Sequence, residues 1–228
     1  MLDRLLGIIA PHHCYGCHKS GYVLCPDCKY DIIDESADVC LVCQMPVVAG
    51  ICAVCRTSYE KAWFVGDRSG VLERSIDAYK FERVKSAAAA LASLLDARLP
   101  VLPPDTMIVP VPTIQTHIRQ RGYDHTLLLA RELAKRRGLK VASVIKRNNN
   151  GVQRGLNKKE RFKQAESAFC CDGLLDVSCP YLVIDDVVTT NATLQYAGQA
   201  LNDAGAKTVW AAVIARQELK ASPKRVRV

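Results

Sequence analysis

Aromatic residues are scarce in this chain of 228 residues: two Trp, eight Tyr and four Phe, 6% in all. Single-strand nucleic-acid binders commonly stack bases on aromatics interleaved with basic side chains, and this sequence offers few such pairings. Long apolar runs are also missing. The stretch Leu5-Leu6-Gly7-Ile8-Ile9-Ala10 is far too short to span a bilayer, and it lacks the basic start, longer apolar run and small-residue cleavage site of a signal peptide. No membrane span is expected, and a cytoplasmic location is. Apart from one recurring cysteine motif, no internal repeat is present.

What the chain does have is length and apolar content for one good core and a small appended module, at 49% apolar and 24% charged residues. We expect two unequal domains, residues 1–58 and 59–228. The overall charge of +8 is unevenly spread: residues 1–58 hold four basic and six acidic side chains, so the remainder carries +10. Between His117 and Lys163, 14 basic side chains meet only Asp124, Glu132 and Glu160. Such a field suits a polyphosphate ligand or a nucleic-acid backbone, although a merely solvated basic face gives the same count.

Eight of the eleven cysteines form four C-x-x-C pairs: Cys14/Cys17, Cys25/Cys28, Cys40/Cys43 and Cys52/Cys55. Each pair closes a tight knuckle that aims two thiolates at one ion, and two pairs complete the tetrahedral sulfur shell of a structural zinc site. The eight ligands suffice for one or two zinc ions. Pairing in sequence order is the expectation, with a cross-brace arrangement as the alternative. A disulfide framework fits a reduced compartment poorly, and a redox motif needs one pair, not four. His12, His13 and His18 read as polar loop residues; Cys170, Cys171 and Cys179 lack ligand spacing and read as buried small hydrophobes. A module of this size has no core of its own, so metal binding would supply much of its folding energy.

The rest of the chain alternates strand and helix signals. Ala62–Gly66 reads as a strand, and the apolar periodicity from Val71 to Leu99 predicts helix in two pieces. Met107-Ile108-Val109 is a buried strand ending at Pro110-Val111-Pro112, after which we expect a loop. Asp124 caps a helix that Gly138 ends, and Val141 to Ile145 is a further strand candidate. The polar run Lys146–Lys163, with Asn148-Asn149-Asn150-Gly151 inside it, reads as a mobile loop. Tyr181–Ile184 is a buried strand, Thr193–Ala204 a helix stopped by Gly205, and Thr208–Ile214 a last strand; the tail beyond Ala215 is basic. This alternation implies an α/β fold with a mainly parallel sheet covered on both faces.

Asp185-Asp186-Val187-Val188-Thr189-Thr190-Asn191-Ala192-Thr193 falls where a strand ends and a helix begins. There the backbone amides and the helix dipole converge on an anion. Adjacent carboxylates suit the two hydroxyls of a ribose, and a small, hydroxyl-rich loop suits a monophosphate. Ordinary strand-ending acids and helix-capping threonines would look the same locally.

This segment resembles the phosphoribosyl-pyrophosphate signature of type I phosphoribosyltransferases. The order of parts is similar to the ComF family along nearly the whole chain: knuckles, Tyr79-Lys80-Phe81, Ile108-Val109-Pro110-Val111-Pro112, Arg121-Gly122-Tyr123-Asp124 and the signature. The resemblance implies a type I phosphoribosyltransferase-like sheet preceded by a zinc-ribbon-like module. It further implies that Asp185 and Asp186 hold the ribose hydroxyls, that Val188 through Thr193 hold the 5-phosphate with Val187 beside them in the binding site, and that the loop of Pro110 and Val111 holds pyrophosphate. Magnesium would bridge the ligand's oxygens, and the Lys146–Lys163 loop would close over them. Two positions depart from the family pattern. Asn191 replaces a glycine, bringing a side chain that can crowd the phosphate or donate to it. Tyr123-Asp124-His125 replaces the commoner Phe-Asn-Gln; His125 reads as a surface residue at a helix start, with an acid–base role as the alternative.

The implied reaction transfers ribose 5-phosphate from phosphoribosyl pyrophosphate to an unidentified nitrogen nucleophile. Asp185, Asp186, Arg121 and Arg161 are the candidate catalytic residues, with Arg119, Arg154 and Lys158 as further basic groups for the departing pyrophosphate. Little other acid–base machinery is visible. ComF relatives are associated with DNA uptake, so single-stranded DNA or DNA-uptake proteins are the rival partners. A zinc-dependent scaffold is the third reading.

Overall fold

The computed structural model describes residues 12–147 and 169–217. Arg154, Lys158 and Arg161, the expected Lys146–Lys163 loop beyond Arg147 and the end of the basic tail lie outside the described residues.

The first helix, α1 (Pro26–Asp34), starts where its chemistry dictates. Pro26 fills a position whose amide has no helical partner, and the Cys25 thiol accepts from the Cys28 amide. Then come β1 (Lys61–Asp67), α2 (Gly70–Phe81) and α3 (Ala87–Arg98). The long periodic stretch thus breaks into two helices, with Arg83 left-handed at φ 60° between them. After β2 (Met107–Pro110) the expected loop contains a short helix, α4 (Gln115–Arg121). Its end needs a glycine: Gly122 has φ 81° and returns its amide to Ile118 O. Asp124 then caps α5 (His125–Arg137) by accepting from the Leu127 amide at 3.1 Å.

The strand expected over Val141–Ile145 is instead two strands in two sheets. β3 (Lys140–Val141) joins β2, and β4 (Ile145–Arg147) pairs antiparallel with β5 (Phe169–Cys171). The chain turns away at Ala142, whose amide makes a last bond to Ile108 O. Cys170 and Cys171 on β5 are half-buried, and Cys179 alone of the three is buried, because a two-stranded ribbon has one face to hide. The chain closes with β6 (Tyr181–Val188), α6 (Ala192–Asp203) and β7 (Val209–Arg216).

Five strands form one parallel sheet in the order β1-β7-β6-β2-β3. Strand alternation divides its side chains cleanly. Leu182, Ile184, Ala212 and Ile214 join a core under α2, α3 and α5, while Tyr181, Val183, Ala211 and Val213 join one under α6. The knuckle residues Cys14, Val23, Leu24 and Cys25 are buried in the first of these cores.

β2 and β6 are neighbours at the centre of the sheet, and the chain leaves them in opposite directions. From β2 it passes to α5 on one face, and from β6 to α6 on the other. A crevice opens at such a switch point, outside the carboxyl ends of the two strands.

Candidate functional site

The cysteine pairs associate in sequence order. Cys14, Cys17, Cys25 and Cys28 form one cluster, and Cys40, Cys43, Cys52 and Cys55 the other, with the sulfurs of each within 4.8 Å of one another. The Cys17 and Cys25 sulfurs are 3.5 Å apart and those of Cys43 and Cys52 3.6 Å. These values approach the edge of about 3.8 Å in a tetrahedron of ~2.3 Å zinc–sulfur bonds.

Backbone amides support the sulfurs as second-sphere donors. Gly16 and Cys25 donate to Cys14 Sγ at 3.4 and 3.3 Å, and Val54 and Cys55 to Cys52 Sγ at 3.4 and 3.2 Å. Burial pushes the Cys14 thiol up, but the amides outweigh it and leave Cys14 at about 6. Cys52 is drawn down to about 6 mainly by the Cys55 and Val54 amides. Both clusters therefore fit zinc, with one ion for each. His12, His13 and His18 stay outside them: His12 Nε2 lies 3.0 Å from Ser86 Oγ, and His13 Nδ1 3.3 Å from His18 O.

The second site is the crevice at the switch point. A cavity of about 130 Å³ there is lined by Val111, Thr113 and His117 from the β2 side and by Asp185 and Thr193 from the β6 side, with Arg147 from the ribbon. Asp185 and Asp186 are adjacent on a strand, so they face opposite sides of the sheet. Asp185 lines the cavity, while Asp186 is buried against Lys80 Nζ and His125 Nε2, each 2.8 Å from its Oδ2. Burial opposes ionisation of Asp186, yet the His125 hydrogen bond and the Lys80 charge hold its carboxyl well below the usual range. Burial, and then the negative charge of Asp186, push Asp185 up.

His125 is not the surface residue expected at a helix start. It is 6% exposed, its carbonyl accepts from Tyr79 Oη at 2.6 Å, and Arg121 Nη1 lies 2.7 Å from its Nδ1. The same Nη1 lies 3.2 Å from Nε2, so the guanidinium sits against the face of the imidazole, whose Nε2 is turned to Asp186. Arg121 thus braces His125 and lies over the Phe81 ring at 5.7 Å instead of entering the cavity.

The turn after β2 supplies fewer amides than a phosphate-binding loop ordinarily would. Pro110 and Pro112 have none, and the Val111 amide is bonded to Ile184 O. The hydroxyls beside it are engaged within the protein: Thr113 Oγ1 donates to Asp124 Oδ1 at 2.8 Å, and Thr126 Oγ1 to Val111 O at 2.7 Å. In the turn after β6, Thr189, Thr190 and Ala192 are exposed, and Asn191 is buried in a left-handed conformation with φ 62°. Its Oδ1 accepts from Tyr59 Oη at 2.8 Å, so the side chain points away from the exposed threonines rather than crowding them.

Sequence reasoning gave no role to Lys80, Arg147, Thr113 or Tyr59. Lys80 lies inside the quoted Tyr79-Lys80-Phe81, so a signal was present for it. Arg147 and Tyr59 carry no local signal, because only the tertiary fold brings Arg147 to the crevice and Tyr59 to Asn191.

No family model matches the chain. Among curated proteins, it is 28% identical to Competence protein F of Haemophilus influenzae over 214 residues, covering 86% of this chain and 92% of that protein. It is also 28% identical to DNA utilization protein YhgH of Salmonella typhi over 220 residues, 89% of this chain and 96% of that protein. The chain is similar to these two proteins along most of its length. Among the described residues, no helix is long and apolar enough to cross a membrane.

Proposed function

We propose that the chain binds phosphoribosyl pyrophosphate with magnesium in the switch-point crevice and transfers the phosphoribosyl group to a nitrogen nucleophile, in service of DNA uptake or utilization. In this reading a zinc module over residues 1–58 docks on a phosphoribosyltransferase-like domain over 59–228. The observation that carries it is the convergence of Asp185, Thr193, Thr113 and Arg147 on one cavity, beside the exposed Thr189–Thr190 turn. Asp185 would accept from a ribose hydroxyl and the turn would take the 5-phosphate. Asp186 serves differently: tied to Lys80 and His125, it would fix the end of β6. Arg147 and His117 offer positive charge or donors to the pyrophosphate where the proline-rich turn has few amides. Magnesium would be held mainly by the ligand's own oxygens, with Asp185 the nearest protein carboxylate. The role in DNA uptake follows from the names of the two relatives.

Calorimetric titration of phosphoribosyl pyrophosphate with magnesium tests this reading. Wild type is expected to bind, and Asp185→Ala to lose the binding at unchanged zinc content and fold. A folded, zinc-loaded wild type that shows no heat sinks the transferase reading.

One observation favours a second reading, a single-stranded DNA contact. Phe81 is 67% exposed with Arg121 over its ring, and a cavity of about 310 Å³ beside it is lined by Lys80, Arg83, His117 and Arg121. An aromatic face between cations is what a stacked base needs. Binding to an oligonucleotide that weakens steeply with salt and drops on Phe81→Ala would support it.

A further inference from the structure

Residues Thr57, Ser58 and Tyr59 form a strap between the second cysteine cluster and β1, and the strap is fastened along α6. The Ser58 amide donates to Gln195 Oε1 and its hydroxyl to Gln195 O, both at 2.6 Å, while Asn202 Nδ2 donates to Ser58 O at 2.8 Å. The approach is close enough to require a glycine on the helix. A Cβ on Gly198 would stand 2.5 Å from Ser58 Oγ. Beyond Ser58 the strap reaches Tyr59, which is 6% exposed and gives its hydroxyl to Asn191 Oδ1.

Asn191 has an unusual conformation for its position. It is the N-cap residue of α6, where asparagine ordinarily takes extended backbone angles and accepts from an amide of the first helical turn. Here it is left-handed, with φ 62° and ψ −1°, and its side chain makes no capping bond. Glycine enters that conformation freely, whereas an L residue does so at a cost. The buried bond to Tyr59 offsets the cost, and it is a bond that glycine could not accept. It also keeps the Asn191 oxygen off the first amides of α6.

We infer that Tyr59 is a positioning residue for the turn 189–193: by holding the Asn191 side chain it fixes the left-handed turn from outside. The strap that leaves the second cysteine cluster thereby sets how well the turn receives a phosphate. The phosphate half of this inference rests on the ligand proposed above; the positioning half does not.

Tyr59→Phe tests it, since only the hydroxyl is removed and the ring still fills its place. Amide exchange across 189–193 and calorimetric binding of phosphoribosyl pyrophosphate with magnesium are measured in parallel. Both are compared with Asn191→Gly and with the double variant. Tyr59→Phe is expected to speed exchange in the turn and weaken binding by about tenfold, the worth of one buried hydrogen bond. In the double variant, affinity should return to within about twofold of Asn191→Gly alone, because glycine needs no anchor. General loosening of the fold would not be relieved by glycine. A loss that glycine leaves in place, or unchanged turn exchange in folded Tyr59→Phe, overturns the inference. If wild type binds no phosphoribosyl pyrophosphate, the proposed ligand falls and turn exchange alone decides: faster exchange in Tyr59→Phe sustains the positioning role, and unchanged exchange refutes it.

Discussion

The two cysteine clusters offer the same four ligands at the same short spacing, yet they lean on different things. In the first, Cys14 and Cys25 are fully buried and share a core with Leu72, Leu91 and Leu94 of α2 and α3. The second leaves Val42, Met45, Val48, Ile51 and Val54 exposed to solvent, and among its cysteines only Cys40 is buried. It is tied to the rest of the chain by the strap onto α6, by the Ala62 amide donating to Gly50 O at 2.9 Å, by the Arg98–Asp38 ion pair and by Leu41, which is buried in the core under α6. The first cluster is thus built into the fold, whereas the second is a clasp beside the crevice. What a metal knuckle does depends on what its backbone touches, which C-x-x-C spacing does not encode.

The largest expected effect belongs to the first cluster. Structural zinc contributes on the order of 10 kcal/mol of apparent binding energy in small modules. Cys14→Ser/Cys25→Ser should therefore abolish the cooperative thermal transition, whereas Cys52→Ser/Cys55→Ser should lower its midpoint and leave it cooperative. Equal losses of cooperativity would erase the distinction.

Next comes Asp186→Asn, which touches neither cluster. Leaving Lys80 buried without its partner should cost about 3 kcal/mol in denaturant unfolding. Its pH dependence has a definite sign. Asp186 is held below the ordinary carboxylate range, so its contribution is full above that range and is lost as pH falls through the lowered value. Asp185, which is raised, works oppositely: it favours folding while protonated, and that contribution is lost as pH rises toward the raised value. Asp186→Asn should accordingly flatten the acid limb of the stability profile. A variant whose acid limb matches wild type would contradict the pairing.

A smaller effect is expected from Gly198→Ala, whose added Cβ must displace the strap at Ser58. Overpacking of this kind costs about 1–3 kcal/mol. It should fall on the clasp alone, weakening phosphoribosyl pyrophosphate binding while zinc content stays at two ions. Smallest of all is Phe81→Ala: an exposed ring contributes within about 0.5 kcal/mol to stability, so any loss of oligonucleotide binding would be a loss of contact.

Much of this was legible in the residues. Apolar runs and caps placed β1, β2, β6, β7, α2, α3, α5 and α6 within a few positions, and C-x-x-C spacing picked out the eight cysteines of the two clusters. The turn after β6 was visible from its acids and threonines. What escaped depended on contacts between distant segments. His125 looks like a surface residue until Asp186 arrives beneath it. Val141–Ile145 has strand composition throughout, and only the competition between β2 and β5 for partners divides it. Asn191 announced a left-handed turn, but the direction of its side chain was set by Tyr59, 132 positions away. The scarcity of aromatics argued against a stacking surface, and it took the fold to bring Arg121 over Phe81.

The most direct test of the contrast is amide exchange on zinc-loaded wild type and on Cys52→Ser/Cys55→Ser. With the clasp released, exchange in the turn 189–193 should rise while β6 and α3 remain protected. If the turn keeps its wild-type protection, or if β6 and α3 open along with it, the second cluster is not a clasp on the crevice and the division of labour between the two clusters is wrong.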